Sequence, residues 1–150
     1  MTHPHTQSRE IALQYLYMHD LLEGKEVQPL SDYLGMQQPA LGPETVTFAR
    51  RLVESVLARH AELDAVITAA ATNWTLSRMA IVDRNILRLG LAELMDLPET
   101  PFKVVINEGV ELARRFSSVA ACAFVNGLLD KMHANLRPAE PQPPGVVPSP

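Results

Sequence analysis

Two carboxylates lie one helical turn apart in the segment KVVINEGVELARRF, residues 103–116. Glu108 and Glu111 are the nearest approach in this chain to an acid–base pair, which needs two carboxyl groups in different environments facing one cleft. The spacing also suits an exposed helix face, because polar residues recur every four positions from Lys103 to Arg115. Such pairs each stabilise a helix by about 0.2–0.5 kcal/mol. The pattern therefore favours a structural helix over a catalytic site.

A cysteine nucleophile and a metal cluster are the other chemistries that the residue types allow. Cys122 lies in the apolar stretch VAACAF, which predicts a buried, unreactive thiol, and His133 follows about three helical turns later. With one cysteine in the chain, neither a disulfide nor a cysteine-based metal site can form within it, and His3 and His5 lack further ligands nearby. We therefore predict no catalytic residue, no metal site, no cofactor and no enzymatic activity.

Composition and charge are those of a slightly acidic globular protein. Hydrophobic residues make up 47% and charged residues 20% of 150 residues, enough for one domain with a real core. The chain has no apolar run of about 18 residues that would span a membrane and no secretory signal pattern at MTHPHTQSRE, which predicts a cytoplasmic protein. Because the formal net charge is −4, any RNA contact must be local or shared with a basic partner.

Hydrophobic periodicity predicts an all-helical chain. Strand signals are nearly absent, and helical spacing continues through KVVI, the main β-branched run. Gly24 is placed to end the first helix, Pro43 to open another, and Thr100 to cap a helix that begins at Pro101. The predicted helices cover about residues 7–22, 30–35, 43–71 with a candidate break near His60, 79–95, 101–116 and 121–134.

The helix lengths fit one domain over residues 1–137, with about seven helices in two three-helix subdomains. After Arg137 the segment PAEPQPPGVVPSP holds six of the twelve prolines. Such a composition cannot build a packed core, so residues 138–150 are predicted to form a disordered tail.

The segment DRNILRLGLAEL predicts the central helix, because apolar residues occupy most of its circumference. Asp83 opens it and complements the helix dipole. Arg84 and Arg88 share one face, where a solvated surface and a specific contact are both open interpretations. Gly90, and Gly109 in the following helix, each cost about 1 kcal/mol relative to alanine. Glycine at these positions is typical of helices that approach closely.

Four segments together resemble the NusB family of bacterial transcription antitermination factors. They are SREIALQYLY, DRNILRLGLAEL, PFKVVINEGVELARRF and FVNGLLDK, in the family's order and spacing over residues 8–133. The resemblance implies an all-helical, non-enzymatic protein that pairs with a small-subunit ribosomal protein acting as NusE. It further implies that the pair binds boxA-type single-stranded RNA of nascent ribosomal RNA, and through it joins other Nus factors and RNA polymerase.

Carried over residue by residue, the resemblance implies two contact surfaces. The implied RNA contacts are Arg9, Tyr17, Lys103 and Phe124. Basic side chains on phosphates and aromatic faces for unstacked bases are what single-stranded RNA requires. The implied partner contacts, on the central helix, are Asp83, Arg84 and Arg88.

Two stretches depart from the family pattern. Where relatives carry consecutive arginines this chain has HPHTQSRE, with Arg9 alone, and VAACA replaces polar residues before FVNG. Both changes remove phosphate or base contacts, so we predict that the complex with a basic ribosomal partner, and not the isolated chain, binds RNA. Two alternatives are the RNA-binding domain of a ribosomal RNA cytosine methyltransferase and a self-associating protein, such as a homodimer, that covers its RNA face.

Overall fold

The computed structural model describes residues 4–37 and 40–136, and all regular structure within them is helical. The elements are α1 (Pro4–Leu21), α2 (Leu30–Gly35), α3 (Pro43–Ala58), α4 (His60–Ala70), a 3₁₀ turn (Leu76–Arg78), α5 (Ile81–Asp96), α6 (Phe102–Phe116) and α7 (Val119–Leu136). The all-α prediction is thereby confirmed. None of these helices has the length and apolar character that a membrane span requires. The predicted tail, residues 138–150, lies outside the described residues.

The turn, capping and periodicity patterns of the sequence predicted most helix ends to within about three residues of their positions in the structure. Gly24 adopts a positive φ of 73° and its amide donates to the His19 carbonyl at 2.9 Å, as expected of a glycine after a helix. The long predicted helix over 43–71 is divided at Arg59. The predicted Thr100 cap is wrong, because Pro101 is itself the N-cap residue and α6 has no side-chain cap.

Helix α5 is central, as its apolar circumference predicted. It packs against α1, α3, α4, α6 and α7, and every residue from Asn85 to Leu94 is buried. The main hydrophobic core takes buried side chains from α1 and from α3 to α7, and Leu30 and Tyr33 of α2 pack against it. The division into two three-helix subdomains within residues 1–137 therefore stays a prediction.

Gly90 of α5 and Gly109 of α6 both face Leu129, a fully buried side chain of α7. A Cβ atom at either glycine would lie 2.8 Å from a Leu129 methyl group, well inside normal carbon–carbon contact. The prediction that these glycines mark close helix approach is confirmed. They allow α7 to lie against both α5 and α6, which positions the start of α7 beside the start of α5.

Candidate functional site

Arg9 lies in the interior of the bundle. Its Nε and Nη2 atoms donate to the two carboxylate oxygens of Glu93 at 2.8 and 2.6 Å, and Nη1 lies 3.7 Å from Glu108 Oε1. The guanidinium carbon is 5.5 Å from the centre of the Phe48 ring, and the Arg9 side chain is only 4% exposed. This ion pair joins α1 to α5, and Arg9 could reach a phosphate only if the core opened.

Glu108 and Glu111 have separate structural partners. Glu108 accepts a hydrogen bond from Thr6 Oγ1 in the first turns of α1 at 2.8 Å, while Glu111 pairs with Arg114 on the exposed face of α6. The expected pairing of polar residues four positions apart on α6 is wrong in detail. Glu111 pairs with Arg114, three residues later, and Arg115 pairs with Glu10 of α1. These carboxylates hold helices in place, and the geometry offers them no shared acid–base role.

The remaining candidates for catalysis, Cys122 and His133, also make structural contacts. Cys122 is partly exposed rather than buried, and its Sγ lies 3.6 Å from the Val110 carbonyl oxygen. The predicted burial of Cys122 is wrong, because this residue lies at the edge of the contact between α6 and α7. His133 stacks on Phe102 at 4.1 Å between ring centroids. Among the residues that the structure describes, no group of three His, Cys, Asp or Glu side chains could hold a metal ion.

Arg84 and Arg88 are held by carboxylates of this same chain. Arg84 donates two hydrogen bonds to Asp20, at 2.7 and 2.8 Å. Arg88 donates two to Asp64, at 2.7 and 3.0 Å, and one to Asp20 at 2.8 Å. Arg88 is 5% exposed, so it does not lie on a solvated face. The network joins α1 and α4 to α5, and this geometry favours a structural role for both arginines over a partner contact.

Asp20 is the shared acceptor of this network. Burial alone raises the pKa of its carboxyl, but hydrogen bonds from Arg84 and Asn85 and the charge of Arg88 outweigh burial and hold the pKa at about 2, below the ordinary 3.8. Because the folded pKa is the lower one, Asp20 stabilises the folded state above the unfolded pKa. That stabilisation, on the order of 2 kcal/mol, is lost as the pH falls through the folded pKa.

We therefore expect the stability advantage of the wild-type chain over Asp20→Asn to shrink as the pH falls from about 4 to about 2. Urea unfolding of both proteins at a series of pH values measures this difference directly. A difference that stays constant through this pH window would show that Asp20 has an ordinary pKa and that the network does not depend on its charge.

Asp83 and Phe124 line one groove at the end of the bundle where α5 begins. The groove has a volume of about 400 Å³. Its lining residues are Trp74, Arg78, Met79, Ala80, Asp83, Ser118, Ala120, Ala121 and Phe124. Trp74 is 53% exposed, and Asp83 Oδ1 is buried yet accepts no hydrogen bond from any described residue. The carboxylate of Asp83 puts a negative charge beside the exposed Trp74 ring, so the groove suits a partner that brings apolar and cationic side chains.

Tyr17 is exposed at the same end of the bundle. The residue is 38% exposed. It lies one turn before Asp20, which accepts hydrogen bonds from Arg84 in the first turn of α5. Asp83 precedes Arg84 directly, so the Tyr17 end of α1 and the groove share one end of the molecule. The structure thus brings together one predicted partner contact and two predicted RNA contacts.

Lys103 is exposed at the opposite end. It opens α6 next to Phe102, which stacks on His133 near the end of α7, whereas Phe124 lies near the start of α7. The four residues implied to contact RNA therefore do not converge. Tyr17 and Phe124 share one end, Lys103 lies at the other, and Arg9 is buried.

Sequence reasoning missed two kinds of residue. Trp74 and Arg78 line the groove, and the segment NWTLSR before the central helix carried a usable signal, namely an aromatic and a basic residue in a stretch without helical spacing. The carboxylates that hold the arginines gave no such signal, because Glu93 is 84 residues from Arg9 and Asp64 is 24 from Arg88.

The chain is similar to known proteins over nearly all of its described length. The NusB family model matches residues 6–134. The transcription antitermination protein NusB of Anaeromyxobacter dehalogenans is 42% identical over 139 residues, covering 93% of this chain and 96% of that protein. The protein of the same name from Myxococcus xanthus is 42% identical over 126 residues, with 83% and 90% covered.

Solved structures give the same result for the fold. NusB of T. maritima superposes with a TM-score of 0.79 at 26% identity, covering 89% of this chain and 92% of that one. A crystal structure of antitermination factors NusB and NusE in complex with double-stranded RNA contains a chain with a TM-score of 0.77 at 26% identity, covering 90% and 99%.

Proposed function

The chain belongs to the NusB family, and we propose that it acts as a non-enzymatic antitermination factor that binds RNA together with a ribosomal protein. The partner is a small-subunit ribosomal protein in the role of NusE. The RNA is a boxA-type single strand in nascent ribosomal RNA, and the complex meets other Nus factors and RNA polymerase through that transcript. This role belongs in the cytoplasm.

The observation that carries the proposal is the groove between the start of α5 and the start of α7. It combines the exposed ring of Trp74, the half-buried ring of Phe124 and the negative charge of Asp83. Ribosomal proteins are rich in lysine and arginine, so such a partner can bring positive charge to the Asp83 carboxylate. The likeness to a NusB chain solved with NusE and RNA supports the same assignment.

Charge supports a shared RNA site. The chain has a net charge of −4, and Arg9, Arg84 and Arg88 are neutralised by carboxylates within the fold. Each phosphate contact contributes a salt-dependent increment to RNA affinity, and few such contacts remain on this chain. A basic partner docked in the groove places positive charge next to Tyr17 and Phe124. The complex, rather than the isolated chain, is then the RNA-binding species.

Tyr17→Ala and Lys103→Ala test the transferred RNA surface. In the complex, each should weaken boxA RNA binding about fivefold or more, because Tyr17 loses a stacking face and Lys103 loses a phosphate contact. Partner affinity should not change, and Lys103→Ala should also reduce the salt slope by about 0.7. Fluorescence titrations with labelled RNA at several salt concentrations measure the RNA affinity and its salt slope. Arg50→Ala on α3 removes one charge outside this surface and is the matched control; variants that bind RNA as it does would remove Tyr17 and Lys103 from the proposal.

A further inference from the structure

One loop forms a wall of the partner groove and carries its exposed aromatic ring. The loop joins α4 to α5 over residues 71–80, and its Trp74 lines the groove. Ala71 and Met79 are buried, but every residue from 72 to 75 is exposed. A segment with so few buried contacts has little local stability of its own. Its position therefore depends on how the two ends of the loop are bound.

A lysine of α7 binds the first end of this loop. Lys131 Nζ donates a hydrogen bond to the carbonyl oxygen of Ala70, the last residue of α4, at 2.9 Å. The Thr72 amide donates to the same oxygen at 3.1 Å, and Ala71 between them has φ −88° and ψ 79°, close to an inverse γ-turn. The ammonium group also compensates the negative end of the α4 dipole. Lys131 thus fixes the point at which the chain leaves α4.

An arginine of α5 binds the loop on the other side of Trp74. Arg84 Nη1 donates to the Leu76 carbonyl at 3.3 Å, while its Nε and Nη2 atoms donate to Asp20. The exposed stretch that contains Trp74 therefore lies between two carbonyl groups, each bound by a cationic side chain of another helix. Because Arg84 also belongs to the Asp20 network, Lys131 is the residue whose effect on the loop can be tested separately.

We infer that Lys131 is a positioning residue for partner binding, because it fixes the loop that presents Trp74 to the ribosomal protein. A loop that is already ordered in the free chain loses less conformational entropy when the partner docks, so the affinity is higher. Lys131 lies two helical turns after Phe124 and is not among the described residues that line the groove. The inference rests on the proposed function, since it takes the ribosomal protein as the partner.

The order of the loop can be measured in the free chain, since Trp74 is the only tryptophan in the sequence. Fluorescence anisotropy of this residue reports nanosecond motion of the loop. Lys131→Met removes the ammonium group, keeps a long side chain and should lower the anisotropy. Lys131→Arg keeps a donor for the Ala70 carbonyl and should restore it. Arg50→Met on α3 removes one charge outside the groove and is the matched control, with the anisotropy of the wild type.

Calorimetric titration of the ribosomal partner into the same variants measures the effect on binding. Lys131→Met should raise Kd about three- to tenfold, as expected when one or two side chains must be ordered on docking. Lys131→Arg and Arg50→Met should bind as the wild type does. In a Trp74→Ala chain, Lys131→Met should cause no further loss, because the ring that Lys131 positions is absent. Lys131→Gln, with a smaller loss expected, replaces Lys131→Met if the latter does not fold.

The outcomes separate this inference from the function on which it rests. If the wild-type chain does not bind the ribosomal partner, the proposed function fails and the inference fails with it. If the wild type binds and Lys131→Met binds as tightly as Arg50→Met, the inference is overturned while the proposed function stands. A weaker Kd without a change in Trp74 anisotropy, or a loss that persists in full in the Trp74→Ala chain, would also overturn it. A lower free energy of unfolding alone would make Lys131 a purely structural residue.

Discussion

Replacing Arg9 with alanine should lower the free energy of unfolding by about 3–5 kcal/mol, the usual cost of removing one partner from a buried ion pair. The reason is Glu93, which is 1% exposed and would keep its charge in the core without the two hydrogen bonds that Arg9 donates. Urea unfolding measures the loss. Arg50→Ala, which removes an exposed α3 arginine 3.9 Å from Glu54, should cost at most about 1 kcal/mol.

A double variant separates the structural role of Arg9 from a role in RNA binding. Arg9→Met combined with Glu93→Leu replaces the ion pair with apolar side chains and should recover most of the lost stability. If Arg9 acts only within the fold, the complex of this variant with the ribosomal partner should bind RNA as the wild type does. A folded double variant that loses RNA affinity would instead restore Arg9 as the RNA contact that family resemblance implies.

Asp83→Lys should weaken docking of the ribosomal partner by at least about a hundredfold in Kd, because two like charges brought together in an interface cost several kcal/mol. RNA binding by the mixture should fall with it, since the proposed RNA site is shared with the docked partner. Calorimetric titration of the partner into wild-type and variant chains measures the first effect, and labelled RNA measures the second.

Two further variants distinguish loss of the Asp83 contact with the partner from a loss of helix stability. Asp83 lies in the first turn of α5, so reversing its charge also removes a helix-dipole contact worth about 0.3–1 kcal/mol. Asp83→Asn keeps the shape and should give a smaller loss of docking. Glu54→Lys makes the same charge reversal on α3, which contributes no residue to the groove, and should leave docking unchanged. Equal docking by Asp83→Lys and Glu54→Lys would remove the groove as the partner site.

The helices could be predicted because their signals are local. Apolar residues around the whole circumference of DRNILRLGLAEL predict a helix packed on all sides by other helices. In the structure α5 is buried from Asn85 to Leu94. Gly90 and Gly109 predicted that neighbouring helices approach closely, because glycine in a helix interior is unfavourable unless close packing requires it. Thr100 failed as a cap because either it or Pro101 could take the N-cap position, and local sequence did not distinguish them.

The surface or interior location of each arginine could not be predicted from local sequence. Arg9 stands alone in a polar stretch, yet it is buried because Glu93 of α5 packs opposite it. Arg84 and Arg88 share a face that local spacing describes as solvated or functional, and the carboxylates that bind them come from α1 and α4. Which arginines can reach RNA therefore depends on long-range pairing that no motif records.

We propose that the complex with the ribosomal partner, and not the isolated chain, is the RNA-binding species. The most direct measurement titrates one labelled boxA single strand with the chain, with the ribosomal partner and with their mixture, at two salt concentrations. We expect weak binding and a shallow salt slope for the chain alone. The mixture should bind more tightly than either protein, with a steeper salt slope. Binding by the chain alone that is as tight as binding by the mixture would contradict it.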